Sequence, residues 1–250
     1  MKKIIALFSV FTLVLSSCSK DDVVSEVLTS PVVSYVLPTK IIETNSTGQV
    51  STSLITYNGN KLVQIITGED KSVFTYTGDF ITKVEDFSSG NNIEGNTIYT
   101  YENNKLKTLI STEYSATTTY KNKYVFTHNT NGTVDFLKYN VNAANVETLS
   151  GSGKYTFLNG NLVKEEDGLM VAVYEYDAKN NPRKNILGFD KLLDDEQASI
   201  NNKTKVTRTY NSGTPTVRVY QFDYNAVGYP TEERELNSSD VVVGKVQYFY

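Results

Sequence analysis

IYTYENNKLKTLI, Ile98 to Ile110, reads as a β-hairpin written out in residues. Tyr99 and Tyr101 fall two apart and so share one face of a strand, with Ile98 and Thr100 on the other. Asn103 and Asn104 follow, residues that tolerate the left-handed backbone of a tight turn. Leu106 then opens a second run. An apolar residue thus sits five positions after an aromatic, with a polar turn between them.

The same unit recurs along the chain. Tyr57 to Leu62, Tyr76 to Ile81, Tyr101 to Leu106 and Phe157 to Leu162 keep the five-residue spacing. His128 to Val134, Tyr176 to Pro182 and Tyr224 to Pro230 carry one more turn residue. Successive anchors lie 19 to 29 residues apart until a last gap of 48, about two periods, which calls for an insertion. A unit of this length repeated means repeated supersecondary structure, one hairpin per copy.

Before each turn the aromatics fall at alternate positions: Phe74 and Tyr76, Tyr99 and Tyr101, Tyr155 and Phe157, Tyr174 and Tyr176, Phe222 and Tyr224. Stacked hairpins line them into a ladder along one sheet face, where aromatic pairs contribute about 0.2–1 kcal/mol each. Two readings stand. The ladder is core, with Tyr hydroxyls reaching a wet edge, or Tyr76, Tyr101, Tyr176 and Tyr224 form a platform on which a ligand stacks.

Counting the alternating runs from Pro31 onward gives about sixteen short strands. Open twisted sheets rarely pass about ten strands without curling, and consecutive strands on short turns pair as a meander. The expected fold is therefore all-β, a long antiparallel up-and-down meander curled into a barrel or half-barrel. A round barrel of that size leaves a lumen too wide for side chains to fill. Either it flattens or something plugs it. The candidate plug is the insertion at about 185–205, where Ile186-Leu187-Gly188-Phe189 and Lys191–Ser199 lose the alternation and suggest a short helix. Strands of five to seven residues are too short to span a bilayer, which takes roughly 9–11.

The chain begins with Lys2, Lys3 and an apolar run to Leu15, a secretory signal over 1–17 rather than a membrane span. Leu15-Ser16-Ser17-Cys18 resembles the lipobox of bacterial lipoproteins, which implies cleavage before Cys18 and acylation there. Several acyl chains anchor firmly where one is marginal. Residues 18–30 then read as a lipidated tether, and 31–250 as one β-repeat domain. Ser19-Lys20-Asp21-Asp22 resembles the export signal of Bacteroidota-type lipoproteins: a basic residue, Lys20, and two acids, Asp21 and Asp22, behind the lipidated Cys. The implied address is the outer membrane, cell-surface exposed. Cys18 is the only cysteine, so no disulfide staples the fold. Removing Lys2 and Lys3 takes the net charge from −4 to −6, which gives no basic footprint for nucleic acid.

Tyr176-Asp177 with Asn180-Asn181, and Tyr224 with Gly228, resemble the tyrosine–aspartate repeats of RHS-type proteins, in a degenerate form over about Ser51–Tyr250. Tyr176–Asn185 (YDAKNNPRKN) is similar to a stretch in Bacteroidota-type lipoproteins of unknown function. The domains of that family are described as porin-like in fold, and the resemblance implies a curled sheet. It implies no activity.

Catalytic chemistry is thinly supplied. His128, the only histidine, stands where other units place an aromatic and reads as a tyrosine substitute. No Ser or Cys has an evident His–acid partnership. Glu165-Glu166-Asp167 and Asp194-Asp195-Glu196 are the acidic triplets, and neither has the spacing of a calcium loop. No metal or cofactor is expected. Two functions remain: a non-enzymatic binding or scaffold module for a glycan or protein partner, or an extracellular glycan hydrolase using acids near the insertion.

Overall fold

The computed structural model describes residues 35–193, 199–211 and 213–250. The expected signal, tether, Cys18, Lys20, Asp21 and Asp22 lie outside these, as does the triplet Asp194-Asp195-Glu196.

Sixteen antiparallel strands close into a barrel, and strands such as Asn92–Glu102 with 11 residues and Glu147–Leu158 with 12 exceed the expected five to seven, so strand length does not argue against spanning a bilayer. In chain order they are β1 (Lys40–Asn45), β2 (Val50–Asn58), β3 (Lys61–Thr67), β4 (Asp70–Thr77), β5 (Phe80–Ser88) and β6 (Asn92–Glu102). Then come β7 (Lys105–Tyr114), β8 (Thr119–His128), β9 (Thr133–Val141), β10 (Glu147–Leu158) and β11 (Asn161–Asp167). The last five are β12 (Met170–Tyr176), β13 (Lys203–Tyr210), β14 (Thr216–Tyr224), β15 (Pro230–Leu236) and β16 (Val242–Phe249). Each strand pairs with its sequence neighbours, and β1 pairs with β16, Ile41 opposite Tyr248. The meander is a full barrel, so no edge is left unpaired.

The anchor unit is a register pair. Tyr57 sits opposite Leu62, Tyr76 opposite Ile81, Tyr101 opposite Leu106, Phe157 opposite Leu162, and His128 opposite Val134. Asn103 and Asn104 both adopt positive φ, 52° and 62°, as the two-residue turn demands. One step behind the anchor the register slips, at Thr56/Tyr57, Thr75/Tyr76, Thr100/Tyr101, Thr156/Phe157 and Asp223/Tyr224. Each slip is a β-bulge, which adds a residue and bends the strand. After the bulge the inward residues of the second strand fall three apart: Leu62 and Ile65, Ile81 and Val84, Leu106 and Leu109.

The aromatic ladder faces inward. Tyr99, Phe126, Phe136, Tyr155 and Tyr174 are buried in one continuous core, with Phe74, Tyr76, Tyr101, Phe157 and Tyr176 packed against it. Where β10 has Gly153, the Phe136 ring covers the backbone so closely that a Cβ would lie 2.3 Å from it. Phe136 also meets Tyr155 at 4.9 Å between ring centroids.

Tyr176 does not close a hairpin with Pro182. It pairs with Lys203, and residues 177–202 leave the sheet, so the break begins earlier than the loss of alternation at 185 suggests. Asp177 is the reason. Its carboxylate accepts from the backbone and side-chain nitrogens of Asn202 at 3.1–3.3 Å and from the Lys179 amide at 2.9 Å, stapling the two ends of the excursion. The excursion's one described helical turn is a 3-10 turn, Phe189–Lys191, and most of the helix expected over 191–199 lies outside the described residues.

Ile186, Phe189 and Leu192 from this segment enter the barrel core, Phe189 meeting Phe74 at 6.3 Å. It docks on the tips of the short turns: Leu187 N–H donates to Asn60 O (3.0 Å), Ile200 to Gly160 O (3.3 Å) and Asn180 to Gly228 O (2.9 Å). Gly188, at φ +81°, passes so near Asp79 O that a Cβ would sit 2.9 Å away. The insertion is a plug. It closes the end of the barrel where the short turns lie and where Val36–Lys40 enters the sheet.

Candidate functional site

The plugged end is bound by a ring of side-chain clasps. Most anchors at the ends of even strands reach back to the start of the preceding odd strand. Tyr57 donates to Pro38 O (2.9 Å), Tyr101 to Ile81 O (2.7 Å), Tyr176 to Leu162 O (2.7 Å) and Tyr250 to Pro230 O (2.8 Å). Tyr76 accepts from the Leu62 amide and donates to Leu187 O of the plug, both at 3.1 Å. Tyr224 donates to the Asp177 carboxylate. His128 fills the same place: Nε2 lies 2.8 Å from Leu106 O, and because a carbonyl only accepts, Nε2 carries the proton. Burial raises the Tyr57, Tyr76, Tyr224 and Tyr250 hydroxyls above their ordinary pKa, so they stay protonated donors.

Tyr76, Tyr101, Tyr176 and Tyr224, weighed above as a ligand platform, therefore sit inside the barrel. Their hydroxyls are engaged by backbone, plug and Asp177.

Above this apolar floor the inner wall turns polar. Ser53 meets Thr67 at 2.6 Å, Ser72 donates to Asp86 at 2.6 Å, and Arg218 pairs with Glu235 at 3.0 Å. At the far rim, where the eight other loops lie, the inward positions Glu113, Tyr120, Asn140, Tyr210 and Thr216 are exposed. The lumen is a cup with an aromatic floor, a polar wall and a solvated mouth.

Between the plug and the wall made by β1, β13, β14, β15 and β16 lies a cavity of about 150 Å³. Arg183 and Asn202 come from the plug side, Lys203 from the start of β13, Glu43, Glu233 and Tyr248 from the wall. Burial pushes the Glu233 carboxyl up, opposed by a hydrogen bond from Tyr248 (2.8 Å) and by the charges of Lys203 and Arg183. Asn202 is 2% exposed, yet its Oδ1 has no hydrogen-bond partner among the described residues. An unsatisfied buried acceptor costs about 1–3 kcal/mol. The amide is held in this orientation because its Nδ2 donates to both Asp177 oxygens. Sequence reading missed this cavity. Its residues come from both ends of the chain and from the plug, with no local spacing to link them.

The acidic run Glu165-Glu166-Asp167 splits between faces. Glu165 accepts from Tyr174 inside (3.0 Å), while Glu166 pairs with Lys164 outside (2.7 Å). Among the described residues no group of acids, His and Cys is placed to hold a metal ion. No described helix is long and apolar enough to cross a membrane, which leaves strands as the question.

The outer wall answers with charge. Lys83–Glu85, Lys123–Glu147, Lys154–Asp135, Lys164–Glu166 and Lys205–Glu175 pair on outward positions, as do Arg234 with Asp223 and Glu232 and Lys245 with Glu232. Exposed aliphatic residues such as Leu54, Ile98 and Val173 lie between these pairs.

No family model and no curated protein matches the chain. Solved structures do. A porin-like protein from Bacteroides vulgatus aligns at TM-score 0.61, covering 86% of this chain and 99% of its own, with 12% identity. The fold is that of the porin-like barrels. A second porin-like protein, from Bacteroides uniformis, aligns at TM-score 0.52 over 85% of this chain and 97% of its own, with 10% identity. At these identities the likeness is one of fold, and it agrees with the porin-like sheet that the sequence resemblance implied.

Proposed function

We propose that this porin-like barrel is a non-enzymatic binding module, attached to the outer membrane by a lipid at Cys18 and held outside the bilayer. The observation that carries the reading is the outer wall. A spanning barrel needs an apolar band, and each Lys or Arg on the lipid face near the midplane costs about 2–4 kcal/mol. Here ion pairs ring the outside at mid-strand positions such as Lys83, Lys164 and Arg234. With the plug in place the lumen is a cup rather than a conduit. Residues 36–40 enter the sheet at the plugged end, and the cup's mouth lies at the opposite end of the barrel. A glycan or a protein segment is the fitting guest for its polar wall and aromatic floor.

Two measurements test this. Protease added to intact cells should remove the domain, while a chain with Lys20→Ala, Asp21→Ala and Asp22→Ala should remain membrane-attached but protected. In planar bilayers the lipidated protein should carry no stepwise current. Steady channel conductance from the unmodified protein would mean that it is a pore.

A further inference from the structure

We infer that the inner wall of β7, β8 and β9 is a binding track for an uncharged oligosaccharide, which rests on the binding-module reading and names both the guest and the wall that takes it. Register assembles the track. β8 pairs with β7 and β9 without a bulge, so its inward face alternates strictly: Phe126 in the core, then Tyr124, Asn122 and Tyr120 toward the mouth. Ser111 and Asn140 flank Asn122 on either side, Glu113 lies opposite Tyr120, and the Lys138 ammonium lies over the Tyr124 ring at 5.5 Å. Two residues of strand rise about 7 Å, which sets the two tyrosines about 14 Å apart with a row of amides and a hydroxyl between them.

This wall differs from the rest of the lumen in what it leaves free. Elsewhere the inward polar groups answer one another, Ser53 with Thr67, Ser72 with Asp86, Arg218 with Glu235 and Glu233 with Tyr248. The plug-end tyrosines are likewise engaged. Among the described residues, the hydroxyls of Ser111, Tyr120 and Tyr124 and the amides of Asn122 and Asn140 have no hydrogen-bond partner. Tyr120 is 58% exposed, an aromatic face open to the mouth. Gly95 opposite Glu113 and Gly151 opposite Lys138 put no side chain at the track's flanks.

The chemistry selects the guest. Amides and hydroxyls both donate and accept, as each sugar hydroxyl does, and a tyrosine ring offers its face to the C–H face of a sugar. The middle row is uncharged, and Glu113 and Lys138 put one charge of each sign at opposite ends. An uncharged chain meets neither with a like charge. A protein segment fits less well. An extended peptide docks by adding a strand to a sheet edge, and the closed barrel has none. A helix needs an apolar groove, and mouthward of Tyr124 the inward positions of β7, β8 and β9 carry no aliphatic side chain.

The test is titration of the mature full chain carrying Cys18→Ala with cellotriose, xylotriose, mannotriose, maltotriose and triacetylchitotriose, each to about 10 mM, read by ligand-observed NMR. At least one should bind. Tyr120→Ala should weaken it by about tenfold or more and Asn122→Ala should weaken it too, with unfolding midpoints unchanged. Tyr210→Ala removes the exposed inward tyrosine of β13 instead and should change affinity by less than about twofold. If either track variant lowers the midpoint, a crystal soaked in the binding sugar replaces it as the arbiter, with a ring expected on the Tyr120 face. Binding that ignores Tyr120→Ala, or a soak that places the sugar on another wall, overturns the track and leaves the binding module standing. No binding by any of the five also overturns it and leaves the cup to a protein guest. Failure of the module itself would show separately, as channel conductance or protection from protease.

Discussion

At the scale of single residues, the clasps give the hydrogen-bonding anchors a definite chemical task, and His128 shows which part of the residue matters. Its ring reaches Leu106 O as a tyrosine hydroxyl reaches the carbonyl in the Tyr101 and Tyr176 units. His128→Tyr should leave stability nearly unchanged. His128→Phe should cost about 0.5–1.5 kcal/mol, one net hydrogen bond, in urea denaturation. Equal losses from both would show that packing alone holds the position. Glu233 makes a second prediction, through pH. Its folded pKa is raised above the ordinary 4.5, mainly by burial. Below that value the carboxyl is protonated in both states; above it the unfolded chain ionises first, and stability drains as pH rises through the folded pKa. Glu233→Gln keeps an acceptor for Tyr248 and removes the ionisation. The variant should therefore exceed the parent in stability at neutral pH, with the gap closing toward pH 4. A variant weaker than the parent at pH 7 would mean that Lys203 and Arg183 outweigh burial.

At the scale of elements, the hairpins were legible because turn and strand preferences coincide. Anchor, Asn/Gly turn and apolar opener stand at fixed spacing, as in Tyr101, Asn103-Asn104 and Leu106. The bulge was legible too, in hindsight, as Leu62/Ile65, Ile81/Val84 and Leu106/Leu109: a spacing of three where pure alternation gives two. The turn after Tyr176 misled because Asp-Ala-Lys-Asn-Asn has good turn chemistry. Turn chemistry is local, whereas the contact that opens the loop, Asp177 to Asn202, spans 25 residues. The plug itself announced its apolar residues, Ile186 and Phe189, and the wide lumen called for a plug, but neither told which end it closes. Phe189→Ala should destabilise by about 3–5 kcal/mol in denaturant melts, since its ring is buried among the wall's aromatics. Should the loss stay within about 0.5 kcal/mol, the size of a surface change, the segment is a loop resting on the barrel rather than a plug.

At the scale of the whole molecule, the strand number foretold curling, and closure followed once β16 met β1. What strand counting left open was the sense of the wall. In an up-and-down barrel every strand alternates in and out, and the alternation alone does not say which face is inside. The pairing register resolves it. Tyr76, Tyr101 and Tyr176 point to the plug end, and paired charges such as Lys83–Glu85 and Lys164–Glu166 point out. The cavity at Asn202 was beyond sequence reading for the related reason that only closure brings β1 beside β15 and β16. The claim that rests on all of this is that the barrel wall faces water and the lipid at Cys18 does the anchoring. It is tested most directly by expressing the full chain with Cys18→Ala in its native envelope and fractionating without detergent. The account predicts a folded β-rich protein in the soluble fraction. A Cys18→Ala chain that stays in the membrane and needs detergent for its release would contradict it.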